Sequence, residues 1–281
     1  MQKVLLNTLL IAALVACKGA DSAMPTPTPV PPVVITPPTP VPLKLVWADE
    51  FDKAGLPDPN KWAYDIGGSG WGNNELQFYT DRRPENARVE NGKLVIEARK
   101  EDYQARKYTS ARLLTRGKTT WKYGRIEVMA KLPKGVGTWP AIWMLGENIG
   151  TAGWPKCGEL DIMEHVGYEE GVVHGTAHTE AYNHTKGTQK EGKVTIPNVT
   201  SEFHLYAIEW TDKAINFFVD TQQFYSVQRS TLGGSEAQWP FDQPFFLILN
   251  IAVGGNWGGL KGIDDSIWPQ RMEVDYVRIY Q

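Results

Sequence analysis

Glu159, Asp161 and Glu164 stand within one short segment whose every other residue is apolar: Glu159-Leu160-Asp161-Ile162-Met163-Glu164. Acids interleaved with Leu, Ile and Met predict a strand with one buried and one charged face. A solvated acidic turn would not need those apolar neighbours. Glu159 and Asp161 are two apart and share a face. Glu164 lies five from Glu159, which strict alternation sends to the opposite side. One extra residue, a β-bulge around Ile162-Met163, resets the parity and returns Glu164 to the acidic face. Like charges crowded in this way repel. The chemistry that uses such crowding needs neighbouring carboxyls whose pKa values are held apart.

Two carboxyls about 5–5.5 Å apart, one nucleophile and one acid/base, are the working pair of retaining glycosidases. After a bulge, the Cα atoms of Glu159 and Glu164 stand roughly 13 Å apart along a strand. Their side chains meet only on a concave strand, which a bent sheet supplies and a flat one does not. An acidic edge strand that merely blocks aggregation needs neither the bulge nor all three acids.

The chain carries 11 Trp, a heavy load for 281 residues. Trp71, Trp139, Trp143 and Trp257 sit beside glycine or polar residues, as in Gly254-Gly255-Asn256-Trp257-Gly258. Glycine offers an indole little to pack against, whereas a pyranose ring pairs an apolar face with a polar edge. Trp139, Trp143 and Trp257 are therefore expected in a cleft. Trp47, Trp62, Trp121 and Trp210 have strand-like neighbours and are expected in or against the core. His174 and His178, four apart, share a strand face, with His178 suited to hydrogen bonding in a cleft. No third ligand clusters with them in sequence, which argues against zinc. Cys157 has no apparent His partner and reads as a small packed residue.

The elements that must hold these groups are strands. Lys93–Ala98, Gly124–Ala130, Ala214–Val219 and Met272–Tyr280 alternate or run β-branched, and clusters such as Glu90-Asn91-Gly92 separate them. No long helical periodicity follows residue 43. The expected fold is all-β, a two-sheet sandwich of the jelly-roll type with a concave cleft. Upstream, residues 1–17 read as a signal with Lys3, a short apolar core, and Leu14-Val15-Ala16-Cys17 resembling a lipobox. Cleavage before Cys17 and lipid attachment would make this an exported bacterial lipoprotein of the outer membrane or cell surface; the alternative is an ordinary secretory signal. Residues 18–42, dense in Pro and Thr, predict an extended tether, and residues 43–281 the catalytic domain. With Cys17 modified, only Cys157 remains, so no intrachain disulfide is expected. A net charge of −3 without a basic run argues against a nucleic-acid partner.

Glu159-Leu-Asp-Ile-Met-Glu-His-Val-Gly167 resembles the active-site signature of glycoside hydrolase family 16, in the bulged form of bacterial laminarinases. Trp47–Asp52, Gly70–Gln77, Tyr108–Leu113, Gly137–Leu145, Val173–Thr179, Leu249–Gly255 and Met272–Arg278 are similar to family segments in the same order, across nearly the whole domain. The resemblance implies Glu159 as nucleophile, Glu164 as general acid/base, and Asp161 as the group that keeps one ionised and the other protonated. It implies Trp139 and Trp143 beside the scissile bond. Asn73 or Asn74, Arg112, His178, Asn250, Trp257 and Gln270 would bind hydroxyls or stack on sugars. It further implies a monomer acting on β-1,3-glucan, or mixed β-1,3/1,4-glucan, without a catalytic cofactor. A structural Ca²⁺ on the convex face would draw on Glu50, Gly92 and Asp275, through backbone oxygens and the Asp carboxylate. Two rival readings are a glycan-binding protein on the same fold, whose kind typically loses the acids, and a hydrolase of agar or carrageenan.

Overall fold

Short β-branched and aromatic runs broken by Gly, Pro and Asn turns build strands almost throughout. The computed structural model describes residues 42–281; the signal, lipobox and most of the tether fall outside the described residues. In chain order the strands are β1 (Leu45–Asp49), β2 (Ala63–Asp65), β3 (Gln77–Tyr79), β4 (Ala87–Glu90), β5 (Lys93–Tyr103), β6 (Arg106–Ser110), β7 (Arg112–Leu114), β8 (Gly124–Lys131) and β9 (Thr138–Gly146). They continue as β10 (Glu159–Glu164), β11 (Val172–His178), β12 (Lys190–Thr195), β13 (His204–Trp210), β14 (Ala214–Val219), β15 (Gln222–Gln228), β16 (Phe245–Val253) and β17 (Gln270–Tyr280). Three short helical turns, Ile149–Ala152, His184–Lys186 and Arg229–Leu232, interrupt them. Among the described residues, no helix is long and apolar enough to cross a membrane.

Ten strands form one sheet in the order β15-β14-β13-β8-β17-β5-β6-β3, with β1 also on β17 and β4 also on β5. Seven form the other, β12-β11-β10-β9-β16-β7-β2. The expected two-sheet jelly-roll sandwich is the architecture found. Between the sheets, Ile126 and Val128 of β8 join Ile142 and Met144 of β9 and Leu247 and Leu249 of β16 in one buried cluster. Each such side chain contributes about 1.5–3 kcal/mol by leaving water. Trp62, Trp121 and Trp210 are buried there and Trp47 packs against it, as their strand-like neighbours suggested.

Strand β16 is buried on both faces. Its odd-numbered residues enter the core, while Phe246 and Ile248 face the other way and join Leu114, Leu145 and Cys157. That second cluster floors one end of the outer face of the seven-stranded sheet, and Trp143 and Trp154 pack against it. Cys157 is therefore packing material, and burial pushes its thiol up to about 12, where it cannot act as a nucleophile near neutral pH.

Candidate active site

The bulge lies where parity required it. Asp161 pairs with Trp143 of β9, but the next partners are Met163 with Ile142 and Glu164 with Ala141, so Ile162 is skipped. On the other flank Asp161 pairs with Thr176 and Glu164 with His174. Ile162 and Met163 are both fully buried in the core. Two successive side chains pointing inward put Glu159, Asp161 and Glu164 on one face.

Cross-strand pairing then fixes what surrounds each acid. Through Glu164 runs a row of His174, Glu164, Ala141, Asn250, Arg112 and Asp65. Through Asp161 runs Thr176, Asp161, Trp143, Ile248 and Leu114. Through Glu159 runs His178, Glu159, Leu145 and Phe246. Ala141 is the one small side chain between Glu164 and Asn250, which leaves room for a ring above it.

Each glutamate has its own indole donor. Trp154 Nε1 donates to Glu159 Oε2 at 2.8 Å, and Trp139 Nε1 donates to Glu164 Oε1 at 3.0 Å. His178 Nε2 lies 3.3 Å from Asp161 Oδ2 and 3.7 Å from Glu159 Oε1. Burial raises all three carboxyls. Glu159 is pushed up to about 8, by burial first and then by the charge of Asp161, while His178, Trp154 and Arg112 pull it back. Asp161 stands well above the ordinary carboxylate range through burial, with Glu191 adding to the effect. Glu164 is held well above it by burial and then by Asp161. His178, Trp154 and Arg112 pull Glu159 toward its ionised form, and His178 and Trp139 do the same for Glu164.

The aromatic wall is continuous with this row. Trp139 and Trp257 meet edge-to-face at 5.5 Å, and His174 meets Trp257 at 5.0 Å. Arg112 is wedged between Trp71 and Trp143, with its guanidinium 4.8 and 4.6 Å from the two ring centroids, and pairs with Asp65 at 3.0 Å. Trp143 Nε1 donates to Asn250 Oδ1 at 2.7 Å. Gly255 and Gly258 let the Trp257 loop close on this wall. A Cβ at Gly255 would stand 3.0 Å from Asn73 O, and one at Gly258 2.7 Å from Trp139 Cβ.

Three buried carboxyls on one strand face beside an aromatic wall describe a sugar-cleaving site, and comparison with known proteins agrees. Residues 72–278 match the model for glycosyl hydrolases family 16. The chain belongs to glycoside hydrolase family 16. It is 58% identical over 243 residues to the β-glucanase of Rhodothermus marinus, covering 85% of each chain. The X-ray structure of the Rhodothermus marinus laminarinase superposes with a TM-score of 0.83 at 57% identity, over 85% of this chain and 97% of that one. A mutant of a non-specific endo-β-1,3(4)-glucanase, crystallised with 1,3-β-D-cellotriosyl-glucose and showing 1,3-β-D-cellobiosyl-glucose at its active site, matches with a TM-score of 0.82 at 48% identity. That match covers 86% of this chain and 96% of the other.

Within this family 16 domain, most of the expected residues converge and some do not. Asn73 sits beside the wall, and Asn74, exposed, donates to Asn256 Oδ1 at 2.9 Å on the Trp257 loop. Gln270 is on another sheet. It opens β17 in the ten-stranded sheet, accepts from the Lys134 amide at 3.2 Å and donates to Ile267 O at 2.6 Å. Its amide is used by the main chain on a different sheet from the acids. His178 lies with the acids as expected: Glu159, Asp161 and His178 offer ligand atoms all within 4.8 Å of one another, and His174 is not among them. Burial raises both carboxyls and so weakens them as donors to a cation.

On the other sheet, Asp49 of β1 pairs with Val277 and Leu94 of β5 pairs with Val274, along one edge of β17. Asp275 and Tyr276 fall in the gap between them, beside Glu50 and Gly92, and the β17–β8 register also shifts there. Both carboxylate oxygens of Glu50 accept from Arg278 at 2.8 Å, so Glu50 can offer only its main-chain oxygen. Main-chain oxygens and the Asp275 carboxylate, which Lys93 Nζ approaches at 3.6 Å, are hard donors of the type Ca²⁺ takes.

Three residues of the site escaped sequence reasoning. Trp154, in Gly-Trp-Pro, reads as a turn until the loop folds back onto Glu159. Tyr79 and Glu75 are buried beneath the wall. Glu75 accepts from Gln77 Nε2 at 2.6 Å, Tyr79 Oη at 3.3 Å and Asn73 Nδ2 at 3.3 Å, and burial raises its pKa. A carboxylate three residues beyond a glycine carries no local sign of burial.

Proposed function

We propose that this chain is an endo-acting β-glucan hydrolase that cleaves β-1,3 bonds, including those of mixed β-1,3/1,4 chains, by retaining double displacement. The observation that carries the proposal is the bulge, which sets Glu159 and Glu164 on one face with Asp161 between them. Glu164, protonated, gives its proton to the leaving sugar oxygen while ionised Glu159 attacks the anomeric carbon. The C–O bond to the leaving sugar breaks as the bond to Glu159 forms. Glu164, now a carboxylate, takes a proton from water, whose oxygen displaces Glu159 and restores both groups. Asp161, between them, keeps one glutamate ionised while the other holds its proton. Trp139, Trp143 and Trp257 stack on the glucan, and Asn250, Arg112, His178 and Asn73 address its hydroxyls.

A sugar-release assay on laminarin, lichenan and agarose tests this reading. Wild type is expected to cleave laminarin and, in mixed-linkage form, lichenan, with Glu159→Gln inactive on both. Cleavage of agarose alone, or binding of laminarin without any release, would overturn it. We further propose a structural Ca²⁺ held by main-chain oxygens of Glu50 and Gly92 and by the Asp275 carboxylate, with no part in the reaction. Export as a lipoprotein through Cys17, with the domain held off the membrane by the proline-rich tether, is proposed from the sequence of residues 1–42.

A further inference from the structure

Trp143 ends a chain of hydrogen bonds that begins at a buried carboxylate outside the acid row. Its indole N–H can only donate, so Asn250 must turn Oδ1 toward it, at 2.7 Å. That leaves the Asn250 amide nitrogen facing Tyr79, to which it donates at 3.1 Å. The Tyr79 oxygen is then occupied as an acceptor, and its own proton must find an acceptor elsewhere. Glu75 Oε2 supplies it at 3.3 Å. With Glu75 accepting, every bond in the series runs one way, from the Asn250 amide through Tyr79 to the carboxyl. Gln77 anchors the same oxygen at 2.6 Å while its Oε1 accepts from the Val253 amide at 2.8 Å. The carboxylate is thus tied to β16 as well.

We infer that Glu75 is a positioning residue which sets the direction of the relay Glu75–Tyr79–Asn250–Trp143 and so fixes the cleft face of Asn250 and Trp143 for the sugar. A second contact reinforces this. Trp71 packs on Tyr79 at 5.3 Å and on the guanidinium of Arg112, whose other face covers Trp143. The relay therefore ends on two groups of the wall, while the acid row is held separately by Trp139 and Trp154. Loss of Glu75 acts on sugar placement and leaves proton transfer in place. The inference rests on the glucanase reading of the same cleft.

The test is a pair of double-mutant cycles on a laminari-oligosaccharide of defined length. Kinetics and melting temperature are followed for Glu75→Gln, Tyr79→Phe, Trp143→Phe, and each of the first two combined with the third. Glutamine keeps the shape of Glu75 but brings one oxygen where three donors converge on two. Glu75→Gln and Tyr79→Phe are each expected to raise KM about fivefold to tenfold, the worth of one buried hydrogen bond, with kcat within about twofold. In the Trp143→Phe background, which has no indole N–H to orient, neither is expected to raise KM further. Additive effects in the cycles, or a fall in melting temperature and kcat at unchanged KM, would overturn the relay. Wild type that fails to cleave the oligosaccharide would instead overturn the glucanase reading, so the two failures are told apart.

Discussion

Glu159 and Glu164 share one face of β10 although five positions separate them, because Ile162 and Met163 both turn into the core. Chemistry and packing meet in that one irregularity. Met163 lies between catalytic groups yet is fully buried. Met163→Ala is expected to cost about 2–5 kcal/mol, measured by urea unfolding, and to lower activity through loss of folded protein. A variant of unchanged stability with lost activity would show that the bulge does not depend on this packing.

The raised pKa of Glu159 has a consequence for stability. A carboxyl whose folded pKa rises from 4.5 to about 8 favours the folded state fully below its unfolded pKa. That contribution is lost as pH rises through 8. Glu159→Gln, which cannot ionise, is expected to match wild-type stability near pH 4 and exceed it at pH 8. The gain is on the order of 4 kcal/mol, roughly 10 °C in Tm for a domain of this size. Equal melting temperatures across the range would contradict the burial of this charge.

Trp139 donates to Glu164 and so lowers a pKa that burial and Asp161 raise. Trp139→Phe removes the donor and keeps most of the ring. The alkaline limb of kcat/KM, where Glu164 loses its proton, is expected to move upward by about 0.5–1 pH unit. A downward move would mean that the indole stabilises the protonated form instead.

For the gap beside β17, stripping cations with EDTA is expected to lower Tm, with Ca²⁺ restoring it. At a hundredfold excess over Kd the bound ion contributes about 2.7 kcal/mol. Asp275→Asn is expected to abolish the dependence. Melting curves that ignore both treatments would remove calcium from the description.

Much of this site was legible in the order of residues because strand parity is a strict geometric rule. Glu159, Asp161 and Glu164 obey it only with an inserted residue, so the bulge could be placed before any coordinates. Glycine beside Trp139 and Trp257 likewise marked indoles that lack a core to enter. For Gln270 the resemblance supplies a residue type, whereas the sheet to which its strand end belongs is settled by tertiary pairing. Glu75, Tyr79 and Trp154 were missed for a related reason. Tyr79 meets Asn250 of β16 and Trp154 meets Glu159 across a loop, whereas Glu75 meets Asn73, Gln77 and Tyr79 within four residues, in a stretch whose types give no sign of burial.

The assignment of nucleophile and acid/base is tested most directly by azide rescue of Glu159→Ala and Glu164→Ala on a glucan carrying a good leaving group. Azide standing in for the Glu159 carboxylate attacks from the opposite face and gives an α-glycosyl azide. Azide standing in for water after Glu164→Ala displaces Glu159 and gives a β-glycosyl azide. The expected result is α-product from the first variant and β-product from the second. Reversed products, or rescue of neither variant while wild type cleaves glucan, would contradict the roles given to these two residues.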